Sequence, residues 1–164
     1  MLESQKLIVP RPDDLEDLLI ALLGRKVEVK RMKPGDKALH SGGVGTYRDA
    51  GENLRAIIYA ELETVNGCGG ALSMIPVGGV EDANEEREIT ATMKDNFREI
   101  LNIMAGLFND KRQRAEHVRF KDFYLADSEP SEIGSLIQKS GDRLDVTVTI
   151  AGGYGGKGLG VVLA

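Results

Sequence analysis

The spacing of hydrophobic and polar positions changes several times along the chain, and each change marks an element. Over residues 12–24, Leu15, Leu18, Leu19, Ala21, Leu22 and Leu23 recur between charged residues, with Asp13 and Asp14 near the start. That pattern predicts an amphipathic helix stopped by Gly24. Lys26 to Met32 alternates charge with valine and predicts a half-buried strand. Ser41-Gly42-Gly43-Val44-Gly45 reads as a loop, Thr46 to Asp49 as a short strand, and Ala50-Gly51-Glu52-Asn53 as a turn. The turn leads into Leu54–Leu62, whose Ile57-Ile58-Tyr59 centre favours a strand.

Gly67, Gly69 and Gly70 make the following stretch a poor helix, so Ala71–Ile75 is expected to be a strand paired back on 54–62. Pro76, Gly78 and Gly79 end it. Helical spacing resumes from about Glu81 to Asn109, with a break near Ile89-Thr90, and Val118–Leu125 is a further strand. Residues 126–140 form a polar connection with a helical turn at Ser131–Gln138. The alternating runs Leu144–Ile150 and Leu159–Leu163 close the chain as a hairpin. Antiparallel strand pairs with helices between them predict an α+β fold: a largely antiparallel sheet with helices packed on one face. The 164 residues fit a single domain, 1–164.

Composition narrows the function. The 41% hydrophobic and 29% charged content is that of a globular protein, and with no Trp the core is mostly aliphatic. A net charge of -5 argues against nucleic-acid or anionic-membrane partners, which need a concentrated positive face. The basic cluster Lys111-Arg112-Gln113-Arg114 is short and reads as a solvated helix end. Met1-Leu2-Glu3-Ser4-Gln5 does not resemble a signal peptide, and no apolar run reaches the length of a membrane span. With one cysteine, Cys68, there is no internal disulfide; a small buried residue in a reducing compartment, the cytoplasm, is expected.

Ready-made chemistry is scarce. Neither His40 nor His117 has Cys or carboxylate at ligand spacing along the sequence, so no metal is expected. Gly152-Gly153-Tyr154-Gly155-Gly156-Lys157-Gly158 has the look of a phosphate loop. It lacks the required first Gly and final Ser/Thr, and a strand follows it, so a flexible hairpin loop is expected.

Met93–Asn109 is more informative. At ~100° per residue, Met93, Phe97, Ile100, Leu101, Met104, Leu107 and Phe108 form one apolar stripe. Asp95, Glu99, Asn102 and Gly106 share the opposite side, within roughly 60° of one another. A solvated face accounts for Glu99, and a capping box at Thr92-Met93-Lys94-Asp95 accounts for Asp95. The solvated face accounts less well for Asn102 and Gly106, which are weak helix formers. A face closely approached by another protein uses both.

Asp95-Asn96-Phe97-Arg98-Glu99-Ile100-Leu101-Asn102 resembles the [Asp/Ser]-x-x-x-Glu-x-x-Asn signature of the CheC/CheX/FliY family of chemotaxis phosphatases, and Ile103-Met104-Ala105-Gly106 resembles its continuation. A single copy of the motif is closer to the CheX branch. The chain departs from the family in having no proline between the motif and Pro130. The resemblance implies a CheC-like fold and, as partner, a phosphorylated response-regulator receiver of the CheY type, whose aspartyl-phosphate is hydrolysed. Glu99 would dock on the receiver's lysine and Asn102 would orient the attacking water; Asp95 and Gly106 would help bind the partner. No cofactor is implied for this chain, since Mg²⁺ belongs to the receiver. A homodimer is also implied. Two alternatives stay open: a catalytically silent adaptor of the same fold, and a structural dimeric domain whose Glu99 stripe is only solvated.

Overall fold

The computed structural model describes residues 6–164; the Met1–Gln5 segment, on which the expectation about a signal peptide rests, lies outside the described residues. Six strands form one sheet: β1 (Val27–Arg31), β2 (Gly43–Arg48), β3 (Leu54–Ala60), β4 (Arg119–Leu125), β5 (Arg143–Ile150) and β6 (Gly158–Leu163). They lie in the order β1-β5-β6-β3-β2-β4, and every pairing is antiparallel. The helices are α1 (Pro12–Leu23), α2 (Leu62–Leu72), α3 (Val77–Glu85), α4 (Ala91–Met104) and α5 (Ser131–Ile137), with a 3-10 turn at Ala105–Leu107. The α+β class and the antiparallel sheet are as expected.

Side-chain alternation sorts the core into two layers. Ala56, Ile58 and Ala60 of β3, with Leu159, Val161 and Leu163 of β6, face a main core built with α1 to α4. Ile57, Tyr59 and Val162 point the other way and meet Ile133 and Ile137 of α5. Four helices thus share one face, while α5 covers part of the other.

Two expectations fail on glycine. Residues 43–45 are not loop but the start of β2, which pairs with both β3 and β4. A Cβ at Gly43 would stand 2.5 Å from the Phe123 ring, and one at Gly45 would stand 2.8 Å from Leu101 Cδ1. These glycines let large side chains lie flat on the strand. Likewise, 71–75 is not a strand: Leu62–Leu72 is helix α2, buried along most of its length. A Cβ at Gly69 would lie 2.4 Å from the Met93 carbonyl oxygen, so glycine is what lets α2 approach α4. Close packing outweighs the propensity penalty of roughly 1 kcal/mol per glycine.

Gly24 adopts φ 65° and its N–H bonds to the Ile20 carbonyl, ending α1 where the pattern predicts. The 110–114 segment is not a helix end. Arg112 pairs with Asp14 at 2.5 Å and Asp110 at 3.0 Å, and the Gln113 amide exchanges hydrogen bonds with the Ile8 backbone, which ties the N-terminal segment to this turn. The glycine-rich 152–158 loop is packed: buried Tyr154 donates to the Ile75 carbonyl at 2.7 Å, and Lys157 pairs with Glu63 at 3.1 Å. Among the described residues, no helix is long and apolar enough to cross a membrane.

Candidate functional site

α4 begins two residues earlier than the Thr92 capping box implies. Thr90 is the N-cap, its side chain accepting from the Met93 amide at 3.2 Å. Asp95 therefore has no capping duty and is exposed. The whole expected stripe is buried: Met93, Phe97, Ile100, Leu101 and Met104 on the helix, then Leu107 and Phe108. Phe97 packs edge-on against Phe123, with ring centroids 5.9 Å apart.

Three further contacts fix the rotation of α4. Asn96 donates to the Gly69 carbonyl and to Ser73 Oγ, both at 2.8 Å, which locks the helix to α2. The Arg98 guanidinium lies over the Phe120 ring of β4, 5.7 Å from its centroid. Near the C-terminus, the Ala105 amide bonds to the Asn102 and Ile103 carbonyls as the helix tightens into its 3-10 turn. The Leu101 carbonyl is instead reached by the buried Tyr47 hydroxyl at 2.5 Å. Burial holds that phenol's pKa well above its ordinary range, so it is a neutral donor.

With the helix so held, Asp95, Glu99, Asn102 and Gly106 are all exposed on one side. Asp95, Glu99 and Ile103 follow one another at i, i+4, as do Asn102 and Gly106, so the face consists of two adjacent rows. Nothing lies within 4 Å of where a Gly106 Cβ would be. Among the described residues, the Asp95, Glu99 and Asn102 side chains form no hydrogen bond or ion pair with the rest of the chain. The structure adds Ile103, 38% exposed, which the sequence reading does not single out. Its signal was an isoleucine on the polar side of the wheel, one turn beyond Glu99.

The face therefore offers a carboxylate for a cation, an amide that can donate and accept at once, an apolar contact and a flat patch. It has no cavity, no nucleophile and no general base other than the carboxylates. The arrangement can position groups of another molecule but has no means of enclosing a substrate. Cys68 is no candidate, because burial pushes its thiol up to about 12.

No protein-family model matches the sequence, and comparison with curated proteins returns no match. Solved structures do match. The middle domain of FliM from Vibrio alginolyticus aligns with a TM-score of 0.56 over 92% of this chain and 86% of that one, at 19% identity. The structure of the CheX–CheY–BeF3–Mg²⁺ complex from Borrelia burgdorferi gives 0.54 over 93% and 92%, at 18% identity. FliM of Helicobacter pylori, solved in complex with FliG, gives 0.55 over 93% and 85%, at 9% identity. The chain has the CheX/FliM fold. In this chain α4 holds Glu99 and Asn102, its apolar side filling the core and their side open.

Proposed function

We propose that this chain is a CheX/CheC-like domain that binds a phosphorylated receiver and promotes hydrolysis of its aspartyl-phosphate. One observation carries the reading. Glu99 and Asn102 stand exposed and unpartnered, three residues apart, on a helix whose other side is entirely buried. A solvated face needs no rigid amide, whereas a docking face does. The reading is supported by the shared fold with CheX, which was solved in complex with CheY, BeF3 and Mg²⁺.

In this mechanism Glu99 pairs with the receiver's lysine and sets the register of docking. Asn102 then enters the receiver's site, and its amide accepts from and donates to one water. Holding that water in line with the phosphorus removes part of the entropic barrier to attack. The water oxygen bonds to phosphorus, the bond to the aspartyl oxygen breaks, and inorganic phosphate leaves a free carboxylate. The receiver's own Mg²⁺ neutralises the developing charge. Ile103 and Gly106 supply contact and clearance, and Asp95 extends the acidic edge.

The test uses a CheY-type receiver loaded with its phosphoryl group. The wild-type chain should speed phosphate release; Asn102→Ala should bind but lose the acceleration, and Glu99→Ala should lose binding. Equal release with wild type and Asn102→Ala would overturn the catalytic reading.

A second reading, a silent adaptor, is favoured by the equally good alignment with a FliM middle domain and with a FliG–FliM complex. Receiver binding without faster phosphate loss in the wild type selects it. The expected homodimer belongs to either reading, and light scattering of the purified chain tests it.

A further inference from the structure

The sequence leaves His40 without ligand-spaced neighbours, but the sheet supplies them. Pairing of β2 with β4 sets Gly43 opposite Leu125, and the Ala126 amide bonds to the Gly42 carbonyl at 3.2 Å. The residues just before β2 are thereby held beside those just after β4. We propose that His40, Asp127 and Glu129 form a binding site for a divalent transition-metal cation of the Zn²⁺ class.

The geometry suits one ion. His40 Nε2 lies 3.0 Å from Glu129 Oε1 and 3.8 Å from Asp127 Oδ1, and the three ligand atoms all fall within 4.8 Å of one another. Ligands held about 2.0–2.2 Å from one tetrahedral ion stand roughly 3.3–3.6 Å apart. The two His40–carboxylate separations bracket that value. The imidazole edge-packs on the buried Tyr59 ring, centroids 6.4 Å apart at 81°, which restrains its plane. Tyr59 belongs to the α5 side of the sheet, so the site is separate from the α4 face and does not depend on the phosphatase reading.

A second observation points to a ligand. The Glu129 side chain is only 7% exposed, and its Oε2 is buried without a hydrogen-bond partner. A simple histidine–carboxylate pair satisfies Oε1 and leaves Oε2 stranded, a costly arrangement for an ionised group. A cation bound by the carboxylate, or a water on that cation, satisfies both oxygens. Asp127, 94% exposed and with no other partner among the described residues, completes the set from the solvent side and leaves room for water ligands. Two carboxylates balance a 2+ charge. An imidazole among them favours Zn²⁺ or Co²⁺ over Mg²⁺ and Ca²⁺, which prefer oxygen-only sites.

Calorimetric titration of the tag-free chain with Zn²⁺ tests this, with Co²⁺ as a spectroscopic probe. One equivalent of Zn²⁺ should bind, and Mg²⁺ should not compete. Glu129→Gln and His40→Gln should each weaken binding by at least roughly tenfold, the lower end of what even outer-shell changes cost. His40→Gln should also abolish the visible absorption of bound Co²⁺. Asp127→Asn carries little folding risk, because the side chain is exposed and Asn tolerates the φ of 65° found there; it too should weaken binding. His117→Gln should bind as wild type. The proposal is overturned by no saturable Zn²⁺ uptake in the wild type, by unchanged uptake in Asp127→Asn and Glu129→Gln together, or by loss of uptake in His117→Gln.

Discussion

Tyr47 has no water to turn to, so its hydroxyl must find a partner within the fold, and that partner is the carbonyl of the residue before Asn102. In Tyr47→Phe the ring still packs on Phe108, but the Leu101 carbonyl, abandoned by the tightened last turn, is left buried and unpaired. An orphaned acceptor of this kind costs about 1–3 kcal/mol, and urea unfolding should show that loss with an unchanged denaturant slope. Cys68 offers a complementary check on burial. Its thiol should resist alkylation in the native protein and react fully in denaturant; rapid native labelling would contradict its full burial on α2. At this scale the exposed motif was legible, because helical rotation alone fixes which residues oppose a buried stripe. The cap was not: Thr90 and Thr92 both suit a helix start, and the structure gives the Met93 amide to the Thr90 hydroxyl. The His40 cluster was equally illegible, because its members meet through strand pairing rather than local spacing.

Between elements, the crossing of α2 over α4 decides how the motif helix is presented. An alanine at position 69 gains roughly 1 kcal/mol of helix propensity over glycine, but its Cβ would meet the Met93 backbone carbonyl, which has no rotamer to yield. The clash wins. Gly69→Ala should destabilise the protein by about 1–3 kcal/mol despite the better propensity, as thermal unfolding would show. Gly106→Ala is the counterpart, since its Cβ enters open space and stability should stay within roughly 0.5 kcal/mol. If a receiver packs closely over this turn, the same methyl should weaken binding; unchanged affinity would remove Gly106 from the proposed interface. These two glycines also explain why elements were only partly legible. Residue type signals that glycine is needed but not whether for a turn, a flat strand as at Gly43, or a close helix crossing as at Gly69. The elements whose burial follows a simple period, α1, β1, α4 and the second half of β5, were read from the pattern itself.

Across the molecule, the α5 side of the sheet is held by one buried polar network rather than by a second large core. Arg143 grips Asp145 with two hydrogen bonds of 2.7 and 2.9 Å, reaches the Tyr59 hydroxyl, and caps the end of α5 through the Ile137 and Lys139 carbonyls. The same carboxylate accepts from the Ala38 amide at 3.0 Å and from Tyr59 at 3.1 Å. Burial acts to raise the Asp145 pKa, but these donors and the guanidinium charge outweigh it and hold the carboxyl below its ordinary 3.8. A depressed carboxylate contributes stability that is fully present above the unfolded value and lost as pH falls through the lower folded one. The chain should therefore keep this contribution at neutral pH and lose it progressively below about pH 3.8, with urea midpoints falling in step. Asp145→Asn separates this network from other acidic groups. The variant leaves Arg143 uncompensated and should cost about 3 kcal/mol at neutral pH, the low end for a broken buried pair because a cleft of about 300 Å³ brings water to both residues. Its stability should then decline less steeply in acid than the wild type's. Parallel acid curves for the two proteins would mean that the carboxylates governing acid unfolding lie elsewhere, and that α5 is held to the sheet chiefly by Ile133 and Ile137.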